Sequence, residues 1–222
     1  MKYTWSYSSI SLFDQCPKKY YRMRVVKDIV EPPQEHLLYG TAVHKVAEEY
    51  VRDGTPIPAK YAFIKEQLDA LVNIKGDKYC EYEMGLTKNL QACKFKAEDV
   101  WWRGIADLII INKDKCYLVD YKTSKSSKYA DTKQLELLSL AIFKHFPQVK
   151  KIKAGLLFLV VKDFVTRDYE NDEGKGKAWL QWLNMTHSLE ACMKAEVWNP
   201  KPNFTCKAWC PVTDCMHNGR AH

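Results

Sequence analysis

The chain has 222 residues, of which 46% are hydrophobic and 27% charged, and carries a formal net charge of +7. That is enough apolar material for one sizeable core with a small appendage, and the positive balance favours a polyanionic partner. The longest apolar run, Ala154–Val161, has the length of a buried strand and is far too short to span a membrane.

The opening MKYTWSYSSISLF lacks the apolar stretch of a signal peptide, so the expected setting is intracellular and cytoplasmic, or the host cytoplasm if the source is viral. In a reducing compartment the eight cysteines are not a disulfide framework. They are buried apolar fillers or metal ligands.

In chain order, Ser8 or Ser9 is placed to cap a helix through Leu12, Phe13, Cys16, Tyr20 and Met23, which Pro17 breaks or ends. Lys18, Lys19 and Arg22, interleaved with Tyr20 and Tyr21, form either a solvated helix face or a strip that contacts phosphates. Glu31-Pro32-Pro33 predicts a linker, and Thr41–Val51 a helix. On that helix Gly40, His44 and Glu48 fall four apart and share a face. His44 is either a satisfied polar residue or a metal ligand through its neutral imidazole. Asp53-Gly54-Thr55-Pro56 closes the helix, and Pro58–Ile74 predicts another with Phe63, Leu68 and Leu71 in the core. Tyr79–Leu86 and Ala92–Lys96 read as strands, and Trp101 and Trp102 lead into the next element.

That element, RGIADLIIINKDKCYLVDYKT (103–123), reads as two strands, Gly104–Ile111 and Cys116–Lys122, joined by a tight polar turn. With the turn centred on Lys113 and Asp114, facing residues have numbers summing to 227, so Asp107 faces Asp120. Facing side chains share one side of the sheet about 5 Å apart, and Lys122 lies on the side of Asp120. Two opposed carboxylates repel unless something offsets them, and a hard divalent cation such as Mg²⁺ or Mn²⁺ would do so. Two carboxylates, a cation and a lysine are the apparatus of metal-assisted phosphodiester hydrolysis. The alternative is a hairpin whose charged face is merely solvated.

Beyond it, Thr123–Lys128 is a polar loop whose Lys125 and Lys128 are either a plain connector or DNA contacts. Asp131–Phe146 predicts a helix with Gln134 near its polar start. Lys153–Val161 reads as a buried strand with Asp163–Tyr169 as its hairpin partner, and Glu173-Gly174-Lys175-Gly176 as a turn. Lys177–Val197 is an amphipathic helix with Trp179, Trp182 and Leu183 toward the core. The tail from Phe204 places Cys206, Cys210 and Cys215 within ten residues, with His217 after them and no core of its own. With Cys16 as fourth ligand these thiols suit an iron–sulfur cluster or Zn²⁺; zinc on Cys206, Cys210, Cys215 and His217, or three free thiols, are the rivals.

Taken together, these residues resemble the PD-(D/E)XK nuclease superfamily, and most closely its RecB-like branch of phage exonucleases and CRISPR-adaptation nucleases. The resemblance rests on SYSSISLFDQCPKKYY, GTAVHKVAEE, GIAD, VDYKT, QLELLSLA and the terminal cysteines, in that order. It implies an α/β (α+β) fold, a restriction-endonuclease-like core of mixed β-sheet flanked by helices. The cysteine-rich tail (204–222) would pack near the N-terminal helix of a single domain (1–222). It implies His44, Asp107, Asp120 and the Tyr121 carbonyl as metal ligands, Lys122 as catalytic lysine, Gln134 as support, and a [4Fe-4S] cluster on Cys16, Cys206, Cys210 and Cys215. The expected activity is exonucleolytic, on single-stranded DNA or DNA ends, with recombination, replication or CRISPR-adaptation proteins as partners. A non-catalytic binding module and a structure-specific endonuclease are the alternatives. Two departures stand out: Leu138 occupies the place of the family's tyrosine after the glutamine, and the tail spaces its cysteines by three and four residues instead of two and five.

Overall fold

The computed structural model describes residues 3–30, 35–171 and 177–220. The expected linker Glu31-Pro32-Pro33 and turn Glu173-Gly174-Lys175-Gly176 lie outside the described residues. In chain order the elements are α1 (Tyr7–Gln15), α2 (Pro17–Tyr20), a π-helical turn (Tyr21–Val26), α3 (Glu35–Asp53), a 3-10 helix (Ala59–Ile64) and α4 (Lys65–Val72). There follow β1 (Asp77–Thr87), β2 (Ala92–Cys93), β3 (Val100–Asn112), β4 (Lys115–Lys122), α5 (Lys133–His145), β5 (Lys151–Phe158), β6 (Asp163–Glu170), α6 (Lys177–Ala195) and a 3-10 helix (Phe204–Lys207). They form two compact units, Met1–Thr4 with Gln34–Glu173, and Trp5–Pro33 with Gly174–His222.

The first unit is a six-stranded sheet in the order β2-β1-β3-β4-β5-β6. All neighbours are antiparallel except β4 and β5, which run parallel and are joined through α5, as a parallel pair requires. This is the expected mixed sheet flanked by helices. The hairpin turn places Lys113 at φ 58°, and the ladder pairs Leu108 with Val119, Ile109 with Leu118, and Asn112 with Lys115. Those numbers sum to 227, as the sequence predicts.

Val43, Ala47 and Val51, spaced by four, form the buried stripe of α3, against Leu68 and Leu71 of α4 and Leu108, Ile110, Val119 and Tyr121 of the sheet. Each such aliphatic side chain contributes roughly 1.5–3 kcal/mol on burial. Gly54, at φ 72°, ends α3 in the left-handed conformation that glycine adopts without steric cost. The single helix expected over Pro58–Ile74 is instead a 3-10 helix followed by α4. Tyr61 and Ile64 are both buried and three residues apart, and a 3-10 helix superimposes that spacing on one face.

In the second unit, α1 starts two or three residues earlier than expected. Ser6 is the cap: its hydroxyl accepts from Ser9 N–H while Ser9 Oγ accepts from Ser6 N–H at 2.9 Å. The helix stops at Gln15, and Pro17 opens α2 at the first position, where its missing N–H costs nothing. Tyr20 and Tyr21 stack on Trp198, with the Tyr21 ring centroid 5.2 Å away. In α6, Trp179 and Trp182 are buried as expected, while Leu183 is only half-buried. In the tail, the buried Asn218 amide donates to the carbonyls of Cys210 (3.0 Å) and Val212 (2.9 Å), holding a loop with little apolar mass of its own. No described helix is long and apolar enough to cross a membrane.

Candidate active site

The β3–β4 ladder ends at Leu108–Val119, one pair before Asp107 and Asp120. The strands part there, and the freed Tyr121 N–H donates to Asp107 Oδ2 at 2.6 Å. On the other side, β1 and β3 pair in one register from Asp77 to Leu86, but the pair Glu81–Asp107 drops out of the ladder. Glu81 lies at φ 48°. Tyr79 and Tyr82 both pack on Phe146, although strict alternation would put residues three apart on opposite faces. The irregularity at Glu81 therefore switches the alternation of β1, and Glu81 opens toward Asp107.

His44 on α3 completes this corner. Its Nδ1 stands 3.4 Å from Asp107 Oδ2, and its ring meets Tyr121 edge-on at 5.8 Å. Donor atoms of His44, Glu81 and Asp107 lie within 4.8 Å of one another. Donors about 2.1 Å from a Mg²⁺ ion stand about 3–4 Å apart across an octahedron, so a small side-chain adjustment closes this trio on one cation. Two carboxylates and an imidazole match Mg²⁺ or Mn²⁺.

Asp120 is 4% exposed. Lys122 Nζ sits 2.6 Å from its Oδ2 as an ion pair, but no hydrogen bond of good direction reaches that oxygen. The Lys122 ammonium is the cation that faces this buried carboxylate. Lys122 also donates to Gln134 Oε1 at 3.4 Å, so the start of α5 reaches the site. Leu138, one turn on, is buried, with Cδ2 3.0 Å from where a Cβ on Gly104 would stand. It packs the core where the resembled family carries a tyrosine.

Mutual repulsion is visible in the acidities. Burial, then the Asp107 charge, pushes the Asp120 carboxyl up to about 6. Burial and the charges of Asp107 and Glu48 push Glu81 up to about 7. Burial works against the His44 imidazolium, but the hydrogen bond and charge of Asp107, with Asp120 and Glu81, hold its pKa above the usual value. A divalent cation would reverse all of these shifts.

An open cleft of about 630 Å³ leads to this corner, lined by α3 from His36 to Glu48 and by Tyr121–Ser124. At Gly40 a Cβ would stand 3.2 Å from Thr123 Oγ1, close enough that the hydroxyl would have to give by a few tenths of an ångström. Glu48, one turn beyond His44, is taken by Arg52. Lys125 and Lys128 are exposed on the loop past the site, and Lys128 Nζ lies 5.4 Å from the Tyr129 ring centroid.

In the second unit, Cys16, Cys206, Cys210 and Cys215 line one small cavity together with Lys18, Lys19 and His217. Burial pushes the Cys210 thiol up. Lys19 Nζ donates to Gln15 Oε1 at 3.3 Å. Arg22 differs from the expectation of a phosphate contact. Its Nε and Nη1 each lie 2.7 Å from a carboxylate, of Asp28 and Asp214, so its charge is neutralised inside the unit.

The sequence reading did not single out Glu81. The available signal was arithmetic: once β1 is paired with β3 in the register summing to 188, Glu81 faces Asp107 as Asp120 does from the other strand.

The family model of the PD-(D/E)XK nuclease superfamily matches residues 4–86 and 75–215. The chain belongs to that superfamily. No curated protein matches it. Among solved structures, a candidate exonuclease from Eubacterium rectale superposes with a TM-score of 0.51 at 12% identity, covering 95% of this chain and 88% of that one. The protein SSO0001 superposes with a TM-score of 0.42 at 15% identity, covering 97% and 87%. At 12% identity the likeness to the Eubacterium rectale protein is one of fold.

Proposed function

We propose that this chain is a Mg²⁺- or Mn²⁺-dependent deoxyribonuclease, an exonuclease on single-stranded DNA or DNA ends. The observation that carries the reading is the convergence of Glu81, His44 and Asp107 with the Asp120–Lys122–Gln134 contacts at one end of an open cleft. His44, Glu81, Asp107 and Asp120, with the Tyr121 carbonyl, would hold the cation. A divalent cation in such a set polarises a phosphoryl oxygen and lowers the pKa of water. Asp120 and Gln134 fix the Lys122 ammonium, which then stabilises charge developing on the phosphate without reorganisation. Lys18, Lys19, Lys125 and Lys128 guide the strand as phosphate contacts. Work inside the cytoplasm, with recombination, replication or CRISPR-adaptation proteins, fits this activity.

The family match spans both compact units, which supports one nuclease domain over 1–222 with 204–222 as its cysteine-bearing appendage. For the appendage we infer a [4Fe-4S] cluster on Cys16, Cys206, Cys210 and Cys215. What supports it is that the four sulfurs line one small cavity, and four thiolates are a ligand set that an iron–sulfur cluster takes. Zn²⁺ is the rival, and visible absorbance of the purified protein separates the two.

The activity is tested on end-labelled single-stranded DNA, linear and covalently closed, with Mg²⁺, Mn²⁺ or chelator. Degradation of the linear strand alone, with either cation, is expected. Cutting of the circle would make the enzyme an endonuclease, and no cutting with either cation would leave the binding-module reading.

A further inference from the structure

The exposed surface of the cysteine tail is aromatic and basic. Phe204 is 76% exposed, Trp209 67% and Met216 77%. The two rings lie edge to face, centroids 6.5 Å apart. Of the seven tryptophans, Trp5, Trp101, Trp102, Trp179 and Trp182 are buried and Trp198 is half-buried in its stack with Tyr20 and Tyr21, so Trp209 alone stands in water. Hydrophobic burial gives no reason for this exposure, because a Trp left in water forfeits the gain that the other six obtain.

The charges beside the rings have one sign. Lys207 and Arg220 are exposed, and among the described residues neither has an acidic partner. They emerge side by side: Gly219 N–H donates to Cys206 O at 2.9 Å, and a Cβ on Gly219 would stand 2.6 Å from Lys207 O. Asp214 is the one acid between Phe204 and Arg220, and Arg22 holds it.

We propose that Phe204, Trp209, Lys207 and Arg220 form a second DNA contact, which stacks unpaired bases on its rings and takes the adjoining phosphates on its cations. Single strands expose the π-faces that a duplex keeps in its own stack, and aromatic rings set among cations are the common means of holding them. A protein-docking patch fits less well, because the centres of protein interfaces are depleted in charge, lysine above all, and here Lys207 lies between the rings in the chain. The inference rests on the preceding reading only in taking single-stranded DNA as the ligand.

Trp209 is itself the probe. A thymidine homopolymer is titrated into the full protein, cysteine site intact and no divalent cation added, following tryptophan emission and the anisotropy of a labelled strand. Emission is expected to be quenched. Trp209→Ala and Phe204→Ala each weaken binding about tenfold, whereas Trp209→Phe removes the quench and keeps affinity within about threefold. Replacing Lys207 and Arg220 by alanine lowers the slope of log affinity against log salt by about 1.4. Unquenched emission, or alanine variants that bind like the wild type with unchanged absorbance and circular dichroism, would overturn the proposal. Those same variants failing only to hold a protein partner would reassign the surface to docking. If the strand binds in this way and is not cut under Mg²⁺ or Mn²⁺, the second contact stands and the nuclease reading falls. If it is cut and Trp209 is indifferent, the reverse holds.

Discussion

The β3–β4 corner and the cysteine tail both gather side chains of types that can hold a metal, by opposite means. At the corner, strand register does the gathering. Glu81 and Asp120 sit at the register positions facing Asp107 from the strands on either side, and the ladder opens where they meet. In the tail no sheet imposes positions; Cys16 and three cysteines about 190 to 199 places further on meet through short turns, capped by Asn203 and Asn218. A rigid scaffold can hold like charges together, at the cost of raised pKa values at Glu81 and Asp120. A segment with only a small core, Cys210, Val212 and Cys215 with Ile29, depends more heavily on a ligand for order. The corner should therefore keep its shape without a cation and be eased by one, whereas the tail should lose its shape on removal of the cluster we infer for it.

Three changes probe that contrast. The largest effect is expected from Lys122→Ala, which removes the ammonium held by Asp120 and Gln134. Cleavage should fall by about 10²–10³-fold with strand binding retained, and a variant cutting at the wild-type rate would remove the lysine from the chemistry. Next is Gly104→Ala. A Cβ there would run into the buried Trp102 ring and lie 3.0 Å from Leu138 Cδ2. Overpacking of this kind costs about 1–3 kcal/mol, a fall of roughly 2–10 °C in melting temperature by calorimetry.

The third probe is the pH dependence of the cation-free protein. Glu81 and Asp120 titrate in the folded state near 7 and 6, above their ordinary 4.5 and 3.8. As pH rises from about 4 to 7 the unfolded chain releases these protons first, so their contribution, complete below about 4, is lost by about pH 7. The raised His44 imidazole acts in the same direction. Glu81→Gln should flatten this fall in urea denaturation. Mn²⁺ at a hundredfold over its Kd should add about 2.7 kcal/mol at neutral pH. A stability that rises with pH over this window would show that the carboxylates do not repel.

Much of the corner was legible in the sequence because a hairpin is local: the turn at Lys113-Asp114 fixes the register, and alternation then assigns faces to Ile109, Leu118 and Asp120. The exact Asp107–Asp120 pair was not, because the strands part where the Tyr121 amide prefers the Asp107 carboxylate. Glu81 was hidden by two non-local facts, the pairing of β1 with β3 and a left-handed residue that interrupts alternation. Arg22 looked like a free cation because Asp214 lies 192 residues away. The split of Pro58–Val72 into a 3-10 helix and α4 follows from which neighbours bury Tyr61 and Ile64, and helical periodicity alone does not contain that.

The most direct test is Mn²⁺ titration calorimetry on wild type, Asp107→Asn and Cys210→Ser, with cleavage of labelled single-stranded DNA measured on the same samples. The account predicts Mn²⁺ binding in the wild type that is lost in Asp107→Asn, together with at least about a 10³-fold loss of cleavage, and is kept in Cys210→Ser. Binding and cleavage that survive in Asp107→Asn would contradict it.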